Sequence, residues 1–308
     1  MKKQREVTEM GDVLKTEQLT KIYGDTAAVD KVSLTVREGD IYGFVGKNGA
    51  GKTTFIRMVL GLAKPTSGSF SMMDGMEISQ ARKRTGSLVE APAIYGNMTA
   101  EENVRLMCMV LGADMKTVPE ILERVGLSNT GRKKAKNFSL GMKQRLGIAL
   151  ALAGDPDFLM LDEPINGLDP TGIVEIRELL LDLRNKYNKT IFISSHLLGE
   201  LEKMVTRYGI ISKGRLIEEI TAEELSEKCG KRTRIKTDSP EKALKLIKAL
   251  LKTENVETDE KNNILIADPI KNIGELTNEL FKNNIVVSGI SEIESSAESY
   301  FIKRMEEN

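Results

Sequence analysis

The 308-residue chain carries one histidine, two cysteines and no net charge at pH 7. Each scarcity excludes something. Cys108 and Cys229 lie far apart, with no cysteine or histidine near either. Neither a zinc-site spacing nor a disulfide framework is available, and a reducing cytosol is the compartment that fits. Lysine plus arginine equal aspartate plus glutamate at 45 each, which leaves no broad surface for a polyanion. The clusters Arg132-Lys133-Lys134 and Lys231-Arg232 read as solvated faces, and no nucleic acid is expected as a partner. The apolar run LGIALALAG (146–154) is far short of the ~20 residues that span a bilayer, and MKKQREVTEMGDV at the start lacks the apolar core of a signal peptide. The chain is therefore expected to be soluble, with another chain supplying any membrane part of its work. There is no internal repeat and no low-complexity tract. The lone histidine, His196, stands in ISSHLLGELE (193–202), directly after an apolar run that ends in two serines. Taken alone, such a residue is more often packing than catalyst, so its neighbours must decide.

What is present is organised in two textures, as suits a chain long enough for more than one domain. Residues 1–12 read as a polar leader with no assigned fold. From 13 to 220 short apolar strands alternate with helix-period segments. IYGFV (41–45), FLMLD (158–162) and TIFIS (190–194) are apolar on both pleat faces, the mark of parallel strands covered by helices. Thr99-x-x-Glu102 and Thr117-x-x-Glu120 are capping-box patterns, and Asp169-Pro170 sets an N-cap before a proline at the first helical position. This is an α/β domain. From 221 to 308, lysine-rich sequence surrounds weaker apolar segments: RIK (234–236), a helical stretch 241–251, NNILIA (262–267), a second helix near 273–281, and NIVVSGI (284–290). A strand–helix–strand–strand–helix–strand order would suit a small ferredoxin-like α+β module.

GKNGAGKTT (46–54) follows the strand IYGFV, precedes the helix-period run FIRMVLGL, and matches G-x-x-x-x-G-K-[ST] in the strand–loop–helix context that pattern requires. Gly46, Gly49 and Gly51 let the backbone curl so that successive amides face one cavity, and the following helix adds its positive end. Gly46, Lys47, Asn48, Gly49, Ala50, Gly51, Lys52, Thr53 and Thr54 are thus the expected phosphate contacts. Lys52 is assigned to the β- and γ-phosphate oxygens and the Thr53 hydroxyl to Mg²⁺. FLMLDEP (158–164) ends an apolar strand in two acids, costly to bury without a compensating cation or hydrogen bonds. Carboxyl ends of parallel strands are where α/β sheets place ligands. Asp162 then suits Mg²⁺ through a water, and Glu163 suits polarisation of the attacking water.

With those motifs in order, the sequence from about Leu14 to Leu216 resembles the ATP-binding cassette family, the ATPase subunits of ABC transporters. The resemblance implies a P-loop NTPase fold with a mixed-sheet core and a helical subdomain, here about 91–153. Tyr23, in LTKIYGDTAAVDKVSL, sits where the family stacks an aromatic ring on adenine, although a tyrosine there suits a core equally well. FSLGMKQRLGIALAL (138–152) resembles a divergent form of the signature motif LSGGQ: Ser139 and Gly141 are retained, Leu140 replaces a glycine and Met142 replaces glutamine. Ser139, Gly141 and Met142 are accordingly assigned to nucleotide binding. NGLD (166–169) resembles the D-loop, which joins the two halves of a dimer, and Asp169 is counted with the nucleotide contacts. The resemblance also turns the reading of His196 toward function: the family's switch histidine follows the same strand, placed to contact the γ-phosphate and to position Glu163 and the water.

One departure stands out. Where the family usually has glutamine, GSLVEAPAIYGNMTAEENV offers Glu90, which accepts hydrogen bonds and ligates metal but donates nothing when ionised. This replacement, the signature and the short C-terminal domain are similar to the subgroup that exports bacitracin-like peptides or lantibiotics. Glu90 is therefore assigned to catalysis and to a direct or water-bridged Mg²⁺ contact. A single copy of each motif implies a second ATPase protomer, a homodimer more than a heterodimer, with ATP and Mg²⁺ bound between signature and phosphate loop. The resemblance also implies integral membrane permease subunits as partners, and the chain is expected in the cytoplasm, on the inner face of the membrane. RLMCMVLGADM (105–115) could dock such subunits, but core is the favoured reading. A soluble, non-transport ABC-type ATPase is the alternative. A plain P-loop kinase or GTPase is disfavoured by the signature and D-loop, and no N-K-x-D guanine motif is found.

Overall fold

In the computed structural model, which describes residues 11–306 apart from 230, 260, 269, 271, 295 and 296, the chain divides into two compact units. One runs to Ala222 and takes in the segment from Arg304; the other is Glu223–Lys303. Of the expected leader, residues 1–10 lie outside the described residues. Asp12 already opens the first strand.

The first unit begins with β1 (Asp12–Tyr23), β2 (Thr26–Val32), β3 (Thr35–Arg37) and β4 (Ile41–Val45). It continues through α1 (Lys52–Leu60), β5 (Ser67–Met72), α2 (Ile78–Lys83) and β6 (Thr85–Leu88). Three helices follow, α3 (Ala100–Leu111), α4 (Val118–Arg124) and α5 (Leu140–Leu152). After them come β7 (Phe158–Asp162), α6 (Pro170–Tyr187), β8 (Thr190–Ser195), α7 (Leu198–Leu201), β9 (Arg207–Ser212) and β10 (Arg215–Thr221). A six-stranded sheet in the order β10-β9-β4-β8-β7-β6 forms the centre, parallel except for the antiparallel β10–β9 pair. A smaller antiparallel sheet joins β2, β1 and β3, with β5 also on β1.

Every residue of β4, β7 and β8 is buried, as strands apolar on both faces require. The three strands are neighbours in register, Val45 opposite Ser195 and Asp162 opposite Ser194, so their carboxyl ends meet at one edge of the sheet. Aromatic packing fixes α1 against them. The Phe55 ring of α1 lies 5.0 Å from Phe44 of β4 and 5.6 Å from Phe192 of β8, and Tyr42 stacks on Phe192 at 5.5 Å. Aromatic pairs at these separations stabilise by about 0.5–1.5 kcal/mol beyond their burial.

α3 starts on the predicted capping box: the Thr99 hydroxyl accepts from the Glu102 amide, and the Glu102 carboxylate accepts from the Thr99 amide. Thr117 does not do the same, which corrects the second predicted box. Asp114 caps a preceding 3-10 turn, Met115–Thr117, so Thr117 is already helical (φ −76°, ψ −16°) and its hydroxyl donates back to the Asp114 carbonyl. A helical ψ turns the side chain away from the amides ahead of it. α6 begins as read from the sequence, Asp169 accepting from the Gly172 amide with Pro170 next in line.

The second unit contains β11 (Lys231–Thr237), α9 (Pro240–Leu251), β12 (Val256–Thr258), β13 (Ile264–Ile266), α10 (Ile273–Lys282) and β14 (Val287–Glu294). Its sheet runs β12-β13-β11-β14 with all neighbours antiparallel, over a core that includes Ile235, Ile247, Ile264, Ile266 and Leu280. β11 looks weak in sequence because Thr233 and Ile235 alternate with Arg234 and Lys236. It holds a central place because it is hydrogen-bonded along both edges. Two further helices, α8 (Ala222–Lys228) and α11 (Ala297–Glu306), complete the chain. Among the described residues no helix is long and apolar enough to cross a membrane.

Thr99→Ala removes one half of the reciprocal cap and should lower stability by about 1 kcal/mol, read from urea unfolding. Thr117→Ala, at the uncapped position, should cost less than half as much.

Candidate functional site

The loop between β4 and α1 is set by backbone demands that only glycine meets. A Cβ on Gly46 would lie 2.4 Å from the Ile211 carbonyl oxygen. Gly51, with φ +107°, would drive one to 2.3 Å from the Ala28 carbonyl oxygen. Lys47, Asn48 and Gly49 form the solvent-open arm, closed by the Ala50 amide donating to the Lys47 carbonyl. Thr54 is half-buried in the first turn of α1. Lys52, 5 % exposed, folds back under the loop and donates to the carbonyls of Gly46 (2.6 Å) and Lys47 (3.3 Å).

That ammonium also meets Glu163 Oε1 at 3.1 Å. The other carboxylate oxygen, Oε2, lies 2.9 Å from His196 Nδ1, so one glutamate is held between the loop lysine and the lone imidazole. Since an ionised carboxylate only accepts, Nδ1 carries the hydrogen in this pair and Nε2 faces elsewhere. The Glu163 backbone sits at φ +48°, a left-handed conformation uncommon for side chains with a Cβ. It turns the Glu163 amide toward both the carbonyl (3.2 Å) and the hydroxyl (3.0 Å) of Ser194.

Asp162 is 2 % exposed and accepts from Thr53 Oγ1 at 2.8 Å and from Ser194 Oγ at 2.5 Å. Among the described residues it has no salt bridge. A buried carboxylate compensated only by two hydroxyls is short of a cation. No group of three or more His, Cys, Asp or Glu side chains able to hold a metal occurs among the described residues. This donor set, one carboxylate and one hydroxyl beside a phosphate-binding loop, fits Mg²⁺, which takes few protein ligands and completes its octahedron with water and phosphate oxygens. Ser194 escaped the sequence reading. Its signal was the first serine of ISSH, a hydroxyl near the end of a fully buried strand.

Glu90 is the predicted metal contact that the structure does not join to this group. Its carboxylate pairs with Arg57 Nη2 at 2.5 Å, and it has no hydrogen bond to Thr53, Asp162 or Glu163 among the described contacts. Tyr23 ends β1 half exposed, with Lys21 Nζ 4.8 Å from its ring centroid; the structure excludes the core reading of that tyrosine.

Ser139, Gly141 and Met142 stand apart from the phosphate loop. Ser139 caps α5, its hydroxyl accepting from the Met142 amide at 3.2 Å. The three residues line one cleft with Gly167 and Asp169, while no residue of the phosphate loop contributes to it. Asp169, counted as a nucleotide contact, spends its carboxylate on capping α6. The predicted contacts therefore fall into two sets that share no lining residue. The stretch 105–115 corrects the core reading in part: Cys108 is fully buried, but Met109, Val110 and Leu111 are 67 %, 73 % and 54 % exposed.

A sequence model for the family described as "ABC transporter" matches residues 29–166. The chain is 43 % identical over 299 residues to the bacitracin transport ATP-binding protein BcrA of Bacillus licheniformis, covering 96 % of this chain and 97 % of that one. It is 41 % identical to the lantibiotic transport ATP-binding protein SrtF of Streptococcus pyogenes over 67 % of this chain and 89 % of that one. Among solved structures, an ATP-binding cassette caught as a dimer after hydrolysis, bound to ADP and Pi, aligns with a TM-score of 0.60 at 25 % identity. That alignment covers 68 % of this chain and 98 % of the other.

Ser194→Ala would strip Asp162 of one of its two hydroxyl partners and leave a buried acceptor under-satisfied. The expected loss of stability is about 1–3 kcal/mol, measured by thermal unfolding.

Proposed function

The chain belongs to the ABC transporter ATP-binding family, and from that premise we propose that two copies of it close on two ATP molecules to drive export of peptide antibiotics. It is an ATP-binding, ATP-hydrolysing subunit of an ABC transporter. The cargo class follows the two relatives named for bacitracin and lantibiotic transport, one of them matched over nearly its whole length. The observation that carries the catalytic part is Glu163, held on one side by Lys52 and on the other by His196.

Triphosphate entering the loop offers Lys52 stronger acceptors than the Gly46 carbonyl and the Glu163 carboxylate. As the ammonium moves to the β- and γ-phosphate oxygens, Glu163 Oε1 is released. It becomes the acceptor for a proton of the attacking water, while Nδ1 of His196 keeps Oε2 in place. Gly46, Gly49, Gly51 and the start of α1 supply amides to the phosphates. Bound Mg²⁺ would neutralise the phosphate charge, with Thr53 and Asp162 the residues to hold it and Glu90 a further or water-bridged contact. Tyr23, exposed at the end of β1, is free to stack on adenine.

Ser139, Gly141, Met142 and Asp169 act from the second protomer. Their cleft shares no residue with the phosphate loop, so a second copy is the simplest source of a signature for each ATP. Nucleotide contacted from both sides favours the closed dimer by linkage. The exposed Met109, Val110 and Leu111 are offered to integral membrane permease subunits, and the pair works in the cytoplasm, peripheral on the inner face of the membrane. The soluble, non-transport reading predicts instead that no integral membrane protein accompanies the purified chain.

Lys52→Ala should lower ATP turnover by about 10²-fold or more, followed by phosphate release. Glu163→Gln should bind ATP, hydrolyse it slowly and run as a dimer on gel filtration with MgATP. A Glu163→Gln chain that stays monomeric at saturating MgATP would sink the two-copy mechanism.

A further inference from the structure

We propose that Arg57, one helical turn beyond Thr53 on α1, is a positioning residue that holds the Glu90 carboxylate and yields it to the divalent cation, so that cation and arginine compete for one carboxylate. The inference rests on reading Thr53, Asp162 and Glu90 as the metal contacts.

The geometry begins on α1. Thr53 and Arg57 are four residues apart on α1 and share a face of the helix, so their backbones stand about 6 Å apart along its axis, Thr53 being the residue whose hydroxyl meets Asp162. Arg57 lies in the last turn of α1, where a cation is favoured by the helix dipole. Its carbonyl is fixed by the Leu62 and Ala63 amides. Glu90 arrives from another direction. It follows β6 by two residues at φ +59°, a backbone conformation that aims its side chain without help from packing. Its carboxylate reaches Arg57 Nη2 at 2.5 Å, with the two side chains 61 % and 40 % exposed.

Two physical consequences follow. A glutamine at position 90 would offer the guanidinium only an uncharged acceptor, so the ion pair belongs to the acid found here. And because the pair is well exposed, water screens it and its dissociation is easy. It is strong enough to choose where an unpacked side chain rests, and weak enough to lose that side chain to a doubly charged ion. Removing the guanidinium should therefore strengthen metal binding by a small factor rather than abolish it.

The test measures Mn²⁺ affinity of the full-length chain saturated with ATP, from the EPR signal of the free aquo ion. Arg57→Gln should bind Mn²⁺ about two- to five-fold more tightly than wild type, and Arg57→Lys, which keeps a cation, should stay near wild type. In a Glu90→Gln background, Arg57→Gln should have no effect, because there is no carboxylate left to compete for. Unchanged or weaker Mn²⁺ binding in Arg57→Gln, or a shift that persists without the Glu90 carboxylate, overturns the proposal. Binding of a fluorescent ATP analogue in EDTA separates the two levels. A chain that takes up nucleotide but is indifferent to Arg57 defeats only this inference, whereas one that takes up none defeats the ATPase reading as well.

Discussion

A buried ammonium organises the first unit. Lys52 is almost wholly removed from water, and taking a charge out of water costs several kcal/mol unless partners replace the lost hydration. The partners come from three adjacent parallel strands: the Gly46 and Lys47 carbonyls after β4, Glu163 after β7 and, through Glu163, His196 after β8. All of them must reach one point. That demand accounts for the β4-β8-β7 adjacency, for the glycines of the loop, and for the aromatic wedge of Phe44, Phe55 and Phe192 that keeps α1 from drifting off the sheet.

Much of this was legible in the residues because it is local. A glycine-rich loop between an apolar strand and a helix has few conformations that satisfy its amides, and strands buried on both faces announce themselves by composition. Thr99 and Asp169 were readable for the same reason, each capping residues three positions ahead. Thr117 carries the same pattern but failed, because Asp114, three positions earlier, had already begun the helical turn. What the chain order hides are the partners across strands. Ser194 belongs to Asp162 and to the Glu163 amide only once β7 and β8 are in register. The Arg57 partner of Glu90, and the exposure of Met109–Leu111, depend likewise on how segments distant in sequence are folded together.

The two sets of proposed nucleotide contacts differ in kind. The phosphate loop, the two acids and the histidine are knit together by buried and part-buried hydrogen bonds. The signature residues sit at a helix start whose amides are only partly spoken for, lining a cleft with Gly167 and Asp169. The second unit has its own antiparallel sheet and apolar core.

The left-handed backbone at Glu163 carries an evolutionary consequence. β-branched residues are strongly disfavoured at such a φ, whereas glycine, asparagine and aspartate accept it readily. Inactive duplicates of this chain, arising by drift at that codon, should be found with small or amide side chains there and seldom with valine, isoleucine or threonine. The scaffold would thus survive the loss of its chemistry along a narrow set of paths, each leaving a protein still able to fold around its phosphate loop.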